Sequence, residues 1–141
     1  MKVIGHIKSR WIAAGVIALA AVFLSPADSR AQSVPDGEVI DVKMVDNGGG
    51  QWRFEPAYIA AQPGDLVRFV QEDVVPHNVE FKQSPEGTDL GDARVGPLIF
   101  TKGEAYELAI DDRFASGEHE YVCTPHATMG MKGIIMVRDV P

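Results

Sequence analysis

The chain is built from short runs in which apolar and polar residues alternate, and Gly, Pro and Asp interrupt the runs at close intervals. Successive side chains of a β-strand point to opposite faces, so a period of two lets each run bury one face. In "EVIDVKMV" (38–45) this places Ile40, Val42 and Met44 on one side and Asp41 and Lys43 on the other. "AYIAAQPGDLVRFV" (57–70) reads as a strand, a Pro-Gly-Asp turn and a second strand burying Val67 and Phe69. "HNVEF" (77–81) is strand-like, and "AYELAI" (105–110) buries Tyr106, Leu108 and Ile110. "GEHEYVC" (117–123) and "KGIIMVRDV" (132–140) close the series, while "NGGG" (47–50) and "SPEGTDLGDARVGP" (84–97) read as loops. Seven or eight short strands at this spacing predict an all-β chain, an antiparallel sandwich or barrel. Loops of a sandwich gather at its ends, so residues 74–77 and 123–131 can meet there.

Residues 1–31 do not share the pattern. Lys2, Lys8 and Arg10 precede the apolar run "WIAAGVIALAAVFL" (11–24), and "SPADSRA" (25–31) offers small residues for cleavage after Ala31. That order predicts a secretory signal peptide over 1–31, with 32–141 as the single exported domain. Cleavage after Ala27 would change little. The alternative, a retained membrane anchor, asks a short run closed by Pro26 to span a bilayer. Residues 32–141 keep 9 of the 13 basic and 19 of the 20 acidic residues, a formal charge of −10. Such a surface repels nucleic acid and anionic lipid and, where charge steers docking, favours a partner with a basic face.

An exported domain with one cysteine makes no internal disulfide, so Cys123 is a buried thiol, an intermolecular link or a ligand. Its neighbours favour the last. "YVCTPHATMGM" (121–131) crowds a thiol, the imidazole of His126 and the thioethers of Met129 and Met131 into one short loop. Soft donors of this kind suit copper rather than Ca²⁺ or Mg²⁺, and zinc more usually brings further Cys, His or carboxylate ligands. One Cys, two His and a weak axial Met describe a blue-copper site. Beyond residue 31 the other histidines are His77 and His119. His119 shares a strand with Cys123, four residues earlier, which sets the two roughly 13 Å apart at extended rise. It is read as a core-edge or surface residue. His77 opens "HNVEF" at a loop-to-strand junction and is the better second imidazole.

"CTPHATMGM" resembles the ligand loop of pseudoazurins, and "PHNVEF" resembles their upstream histidine segment. More broadly, residues 38–138 resemble the plastocyanin/azurin family of cupredoxins. The resemblance implies a Greek-key β-sandwich holding one type 1 copper ion, with His77, Cys123 and His126 as strong ligands. It implies Met131 as the long axial ligand, since pseudoazurins and plastocyanins use the four-residue spacing. The two-residue spacing of amicyanins would select Met129 instead. Asn78 is expected to tie the two ligand segments together. The implied function is periplasmic one-electron transfer between redox proteins, such as a cytochrome c or a periplasmic reductase, by a monomer that is not an enzyme. His126 is the expected electron port, within a patch drawn from Pro76, Pro125, Ala127 and Met129. Copper storage or delivery, and a cupredoxin-like enzyme with an open copper position, are the alternatives. Two departures stand out. The sequence stops ten residues after Met131, where pseudoazurins continue into helices, and it is acidic where they carry lysines around the copper end.

Overall fold

The computed structural model describes residues 37–139, and the expected signal peptide lies outside them. The described residues form eight strands: β1 (Val39–Asp46), β2 (Trp52–Glu55), β3 (Tyr58–Ala61), β4 (Leu66–Gln71), β5 (Glu80–Gln83), β6 (Ala105–Ala109), β7 (Gly117–Val122) and β8 (Lys132–Val137). They form two four-stranded sheets, ordered β2-β1-β4-β6 and β3-β8-β7-β5. This is an all-β sandwich, as the alternation predicts, with the Greek-key arrangement that the resemblance implies. Its direction is not uniformly antiparallel, however. β1 runs parallel to β4, and β3 parallel to β8. Alternation reports which side chains face inward and carries no information on strand direction, so the mixed pairing was invisible to it.

The crossing from one sheet to the other is built by "QPGD". Asp65 N donates to Gln62 O at 3.0 Å, and Gly64 sits at φ +101°. Pro at the second and Gly at the third position of such a turn meet its fixed and positive φ values. The buried Asp65 carboxylate accepts from Gln62 N and from Glu38 N, both at 2.9 Å, which pins the turn to the start of β1. β3 therefore ends in one sheet and β4 begins in the other.

Two expectations are corrected in detail. β2 was not anticipated, because four residues after a run of glycines give too little alternation to register. And "HNVEF" is not a strand from its first residue. β5 starts at Glu80, while His77 makes an isolated bridge to Ile99. The long loop 84–97 is irregular as expected, apart from a 3₁₀ turn at Gly91–Arg94 and an isolated bridge from Val95 to Glu80.

The core lies between the sheets. Phe54 and Phe69 from one sheet meet Tyr121 and Phe81 from the other, with Tyr121 edge-on to Phe54 at 4.8 Å and to Phe69 at 5.3 Å between centroids. Each such side chain contributes about 1.5–3 kcal/mol by burial, and an edge-to-face pair about 0.5–1.5 kcal/mol more. Tyr121 folds over Gly133, its cross-strand partner, where a Cβ would collide with the phenol ring and its oxygen. That phenol is buried with no hydrogen-bond partner among the described residues, and burial pushes its pKa up.

Candidate metal centre

At one end of the sandwich three side chains converge from two segments. His77 Nδ1 lies 3.5 Å from Cys123 Sγ, His126 Nδ1 lies 3.4 Å from it, and the two ring nitrogens are 3.1 Å apart. All three residues are buried, and one donor atom from each falls within 4.8 Å of the others. His119 is not among them.

The ligand loop holds its shape through its own backbone. Cys123 N donates to Met131 O at 3.0 Å, His126 N to Cys123 O at 3.1 Å, and Met131 N to His126 O at 3.2 Å. Residues Thr124–Met129 form a 3₁₀ segment with Pro125 near its start, ended by Gly130 at φ +85°, a left-handed position that suits glycine. The loop thereby turns Cys123, His126 and Met131 inward: Met131 is fully buried, whereas Met129 is 57 % exposed.

His77 is fixed from behind. Its Nε2 lies 2.9 Å from Asp73 Oδ2. A carboxylate only accepts, so Nε2 carries a proton, and in the neutral ring Nδ1, facing Cys123, is the nitrogen with the lone pair. The other Asp73 oxygen accepts from Val75 N at 2.7 Å, which holds the carboxylate still. Gln71, fully buried at the end of β4, donates to Val75 O and Ile99 O and so ties this loop to the bridge partner of His77. Asn78 joins the two ligand segments as expected. It accepts from Thr124 N at 2.8 Å and donates to Thr124 Oγ1 at 3.0 Å, and that hydroxyl donates to Glu80.

The protein alone leaves this arrangement poorly satisfied. The Nδ1 of His77 faces a second imidazole nitrogen and a sulfur, and without metal only a weak thiol S–H or an imidazole N–H is at hand to be shared among the three. A soft cation is what such a set of lone pairs accommodates, and a carboxylate on the outer nitrogen of a ligating histidine is the usual supporting arrangement.

Comparison with known proteins agrees. Residues 40–138 match the family described as copper binding proteins, plastocyanin/azurin family. The chain belongs to that family. It is 36 % identical over 104 residues to a pseudoazurin of Paracoccus pantotrophus, a match covering 72 % of this chain and 64 % of the relative. The chain thus spans just under two thirds of that relative's length. Among solved structures, a Sinorhizobium pseudoazurin superimposes with a TM-score of 0.52 at 33 % identity, covering 72 % of this chain and 74 % of the other. The oxidised plastocyanin of the fern Dryopteris crassirhizoma gives 0.56 at 23 % identity, covering 70 % and 99 %, which speaks for the fold alone.

Family membership and the donor set, His77, Cys123 and His126 with the buried Met131 in the same loop, thus match a type 1 cupredoxin copper site. Without metal, burial first, then the field of Asp73, pushes the Cys123 thiol up, against hydrogen bonds from the backbone of Asn78 and His126. Burial, and secondarily His77, pushes His126 down, while Asp73 opposes. The metal-free cupredoxin site therefore holds a thiol and a neutral imidazole, and a metal must displace the thiol proton to bind.

His119 is corrected from a core-edge or surface residue to a fully buried one. Its Nε2 donates to Ala115 O at 2.7 Å, and its Nδ1 accepts from Ser84 Oγ at 3.1 Å. Sequence reasoning missed Asp73, Gln71 and Trp52 around the centre. Asp73, four residues before His77, was the one visible signal. Nothing in the sequence marked the other two.

Proposed function

We propose that this chain is a periplasmic, single-electron carrier that holds one type 1 copper ion through His77, Cys123, His126 and, at longer range, Met131. The observation that carries the reading is the convergence of two imidazole nitrogens and one thiol within 4.8 Å in a buried site. Copper held there would supply a one-electron couple between its two common oxidation states. The loop's own hydrogen bonds, the carboxylate behind His77 and the Asn78 tie restrain the donor atoms, so little rearrangement accompanies a change of oxidation state. Burial of Met131 and exposure of Met129 favour Met131 as the axial residue.

His126 is the electron port in this reading. The segments that meet at the centre also carry exposed apolar side chains: Val74 (85 %), Leu98, Phe100 and Met129, beside the exposed Pro125 and Ala127. Pro76 is half-buried. Apolar surface of this kind suits brief docking to a redox protein, while the acidic domain steers a partner with a basic face. Donor and acceptor belong to the class of redox proteins such as a cytochrome c or a periplasmic reductase. The carrier works as a monomer, delivered by cleavage of residues 1–31, and is not an enzyme, since four protein ligands leave no open position. Buried ligands also disfavour storage or delivery of copper.

The test is spectroscopic. The full chain loaded with Cu(II) should give an intense blue absorption band and narrow copper hyperfine splitting, both absent from Cys123→Ser. A pale, wide-splitting spectrum indifferent to Cys123 would make copper handling the better reading.

A further inference from the structure

The two histidines of the centre are secured by different means. His77 has a carboxylate on its outer nitrogen. Among the described residues, no protein group hydrogen-bonds to the outer nitrogen of His126, which leaves rotation of that ring unopposed on the polar side. Trp52 lies against its face instead. The two ring centroids are 4.0 Å apart and the planes 23° from parallel, while the edge of His77 meets the same imidazole at 4.8 Å and 64°.

The position of Trp52 is built rather than incidental. It opens β2 opposite Asp46. Asp46 Oδ1 accepts from Gly48 N at 2.9 Å and from Gln51 N at 3.1 Å, closing the loop that delivers the indole. Gly48, Gly49 and Gly50 all take positive φ, and a Cβ on Gly50 would stand 3.2 Å from the six-membered ring of Trp52. The indole nitrogen is buried without a partner among the described residues. A buried indole N–H ordinarily finds an acceptor. Here the ring sits where the imidazole wants it, not where its own N–H would be satisfied.

We infer that Trp52 is the positioning residue of His126: its stacked indole fixes the imidazole plane, with Nδ1 aimed at Cys123, as the Asp73 carboxylate does for His77. For its consequences the inference rests on the copper reading, though the geometry stands without metal. A ring already fixed gives up less rotational freedom on binding, so affinity rises. It also swings less when charge on the bound metal changes.

The experiment compares Trp52→Leu with Trp52→Phe in the full chain. Leu fills volume without a ring, whereas Phe restores a stacking face. In the copper-free wild type, the His126 ring protons should resonate upfield of ordinary imidazole positions in the NMR spectrum, under the indole ring current. Trp52→Leu should release that shift and weaken copper binding by roughly tenfold, as loss of a supporting contact does. Trp52→Phe should keep part of the shift and most of the affinity. Thermal melts of the copper-free variants separate these effects from simple destabilisation. An unshifted His126 in the wild type, or equal copper affinities for the two variants, would reduce Trp52 to packing. If the wild type gives no thiolate-copper spectrum, the copper reading fails and the NMR comparison still judges the stacking.

Discussion

Two ends of one strand hold buried histidines with opposite fates. Near the start of β7, His119 spends both ring nitrogens inside the protein, one donating to Ala115 O and the other accepting from Ser84. Just beyond its end, His126 and its partner His77 are equally buried, yet turn nitrogens toward each other and toward Cys123. Relative exposure is 0 % for His77 and His119 and 5 % for His126, so burial does not separate ligand from scaffold. The difference is the unspent lone pair. A histidine satisfied at both nitrogens has nothing to offer a metal, and one held by a carboxylate at one nitrogen has its other left free.

The strongest way to break this contrast is to remove one histidine at each end. His77→Ala should abolish the thiolate-copper spectrum. His119→Ala should leave that spectrum in place and lower unfolding stability by about 2–4 kcal/mol, through lost hydrogen bonds and a cavity between Phe81 and Phe114. Denaturant titration and visible spectra of the two variants check it, and a His119 variant without the copper band would end the distinction.

Asp73→Ala sharpens the metal end. Removing the carboxylate on His77 should weaken copper binding roughly 10–100-fold, measured by competition with a chelator, while Asp73→Asn, which can still accept, should lose less. Between the ends, Tyr121 stands two residues from His119 and two from Cys123. Gly133→Ala forces a methyl against its phenol and should cost about 1–3 kcal/mol of stability with the blue band retained. A lost band would mean that the core and the centre are one mechanical unit.

The smallest effect is a pH dependence. Burial holds the His119 pKa below its ordinary value of 6.5, against the Ala115 carbonyl bond that raises it. The unfolded chain then takes up a proton first as pH falls, so the contribution is fully present above about pH 6.5 and is lost on acidifying toward the folded value. His126, also shifted down, acts in the same direction in copper-free protein. Copper-free stability should therefore decline below pH 6.5, and His119→Gln should flatten part of that slope in melts taken across the range.

Much of the centre was legible because its signals are local. Cys123, His126 and the two methionines sit in one loop, and spacing plus donor softness pointed to copper without a fold. The choice of His77 over His119 rested on strand geometry, and the structure brings His77 to the cysteine. Asp73, Gln71 and Trp52 were not legible, since each acts across a turn or between strands, where the sequence records residues without their contacts. β2 failed for a related reason: its four residues acquire meaning only once Phe54 meets Tyr121 and Trp52 meets His126.

The sequence by itself determined an all-β chain, its inward faces and a soft donor loop, because periodicity and donor chemistry are properties of neighbouring residues. Tertiary structure alone decided that β1 pairs with β4 and β3 with β8 in parallel, and which methionine is buried. It also decided that one histidine is closed off by Ser84 and Ala115 while another faces Cys123. Those outcomes depend on which distant groups arrive beside a side chain, and hydrogen bonds and lone pairs are settled only by what stands next to them in space.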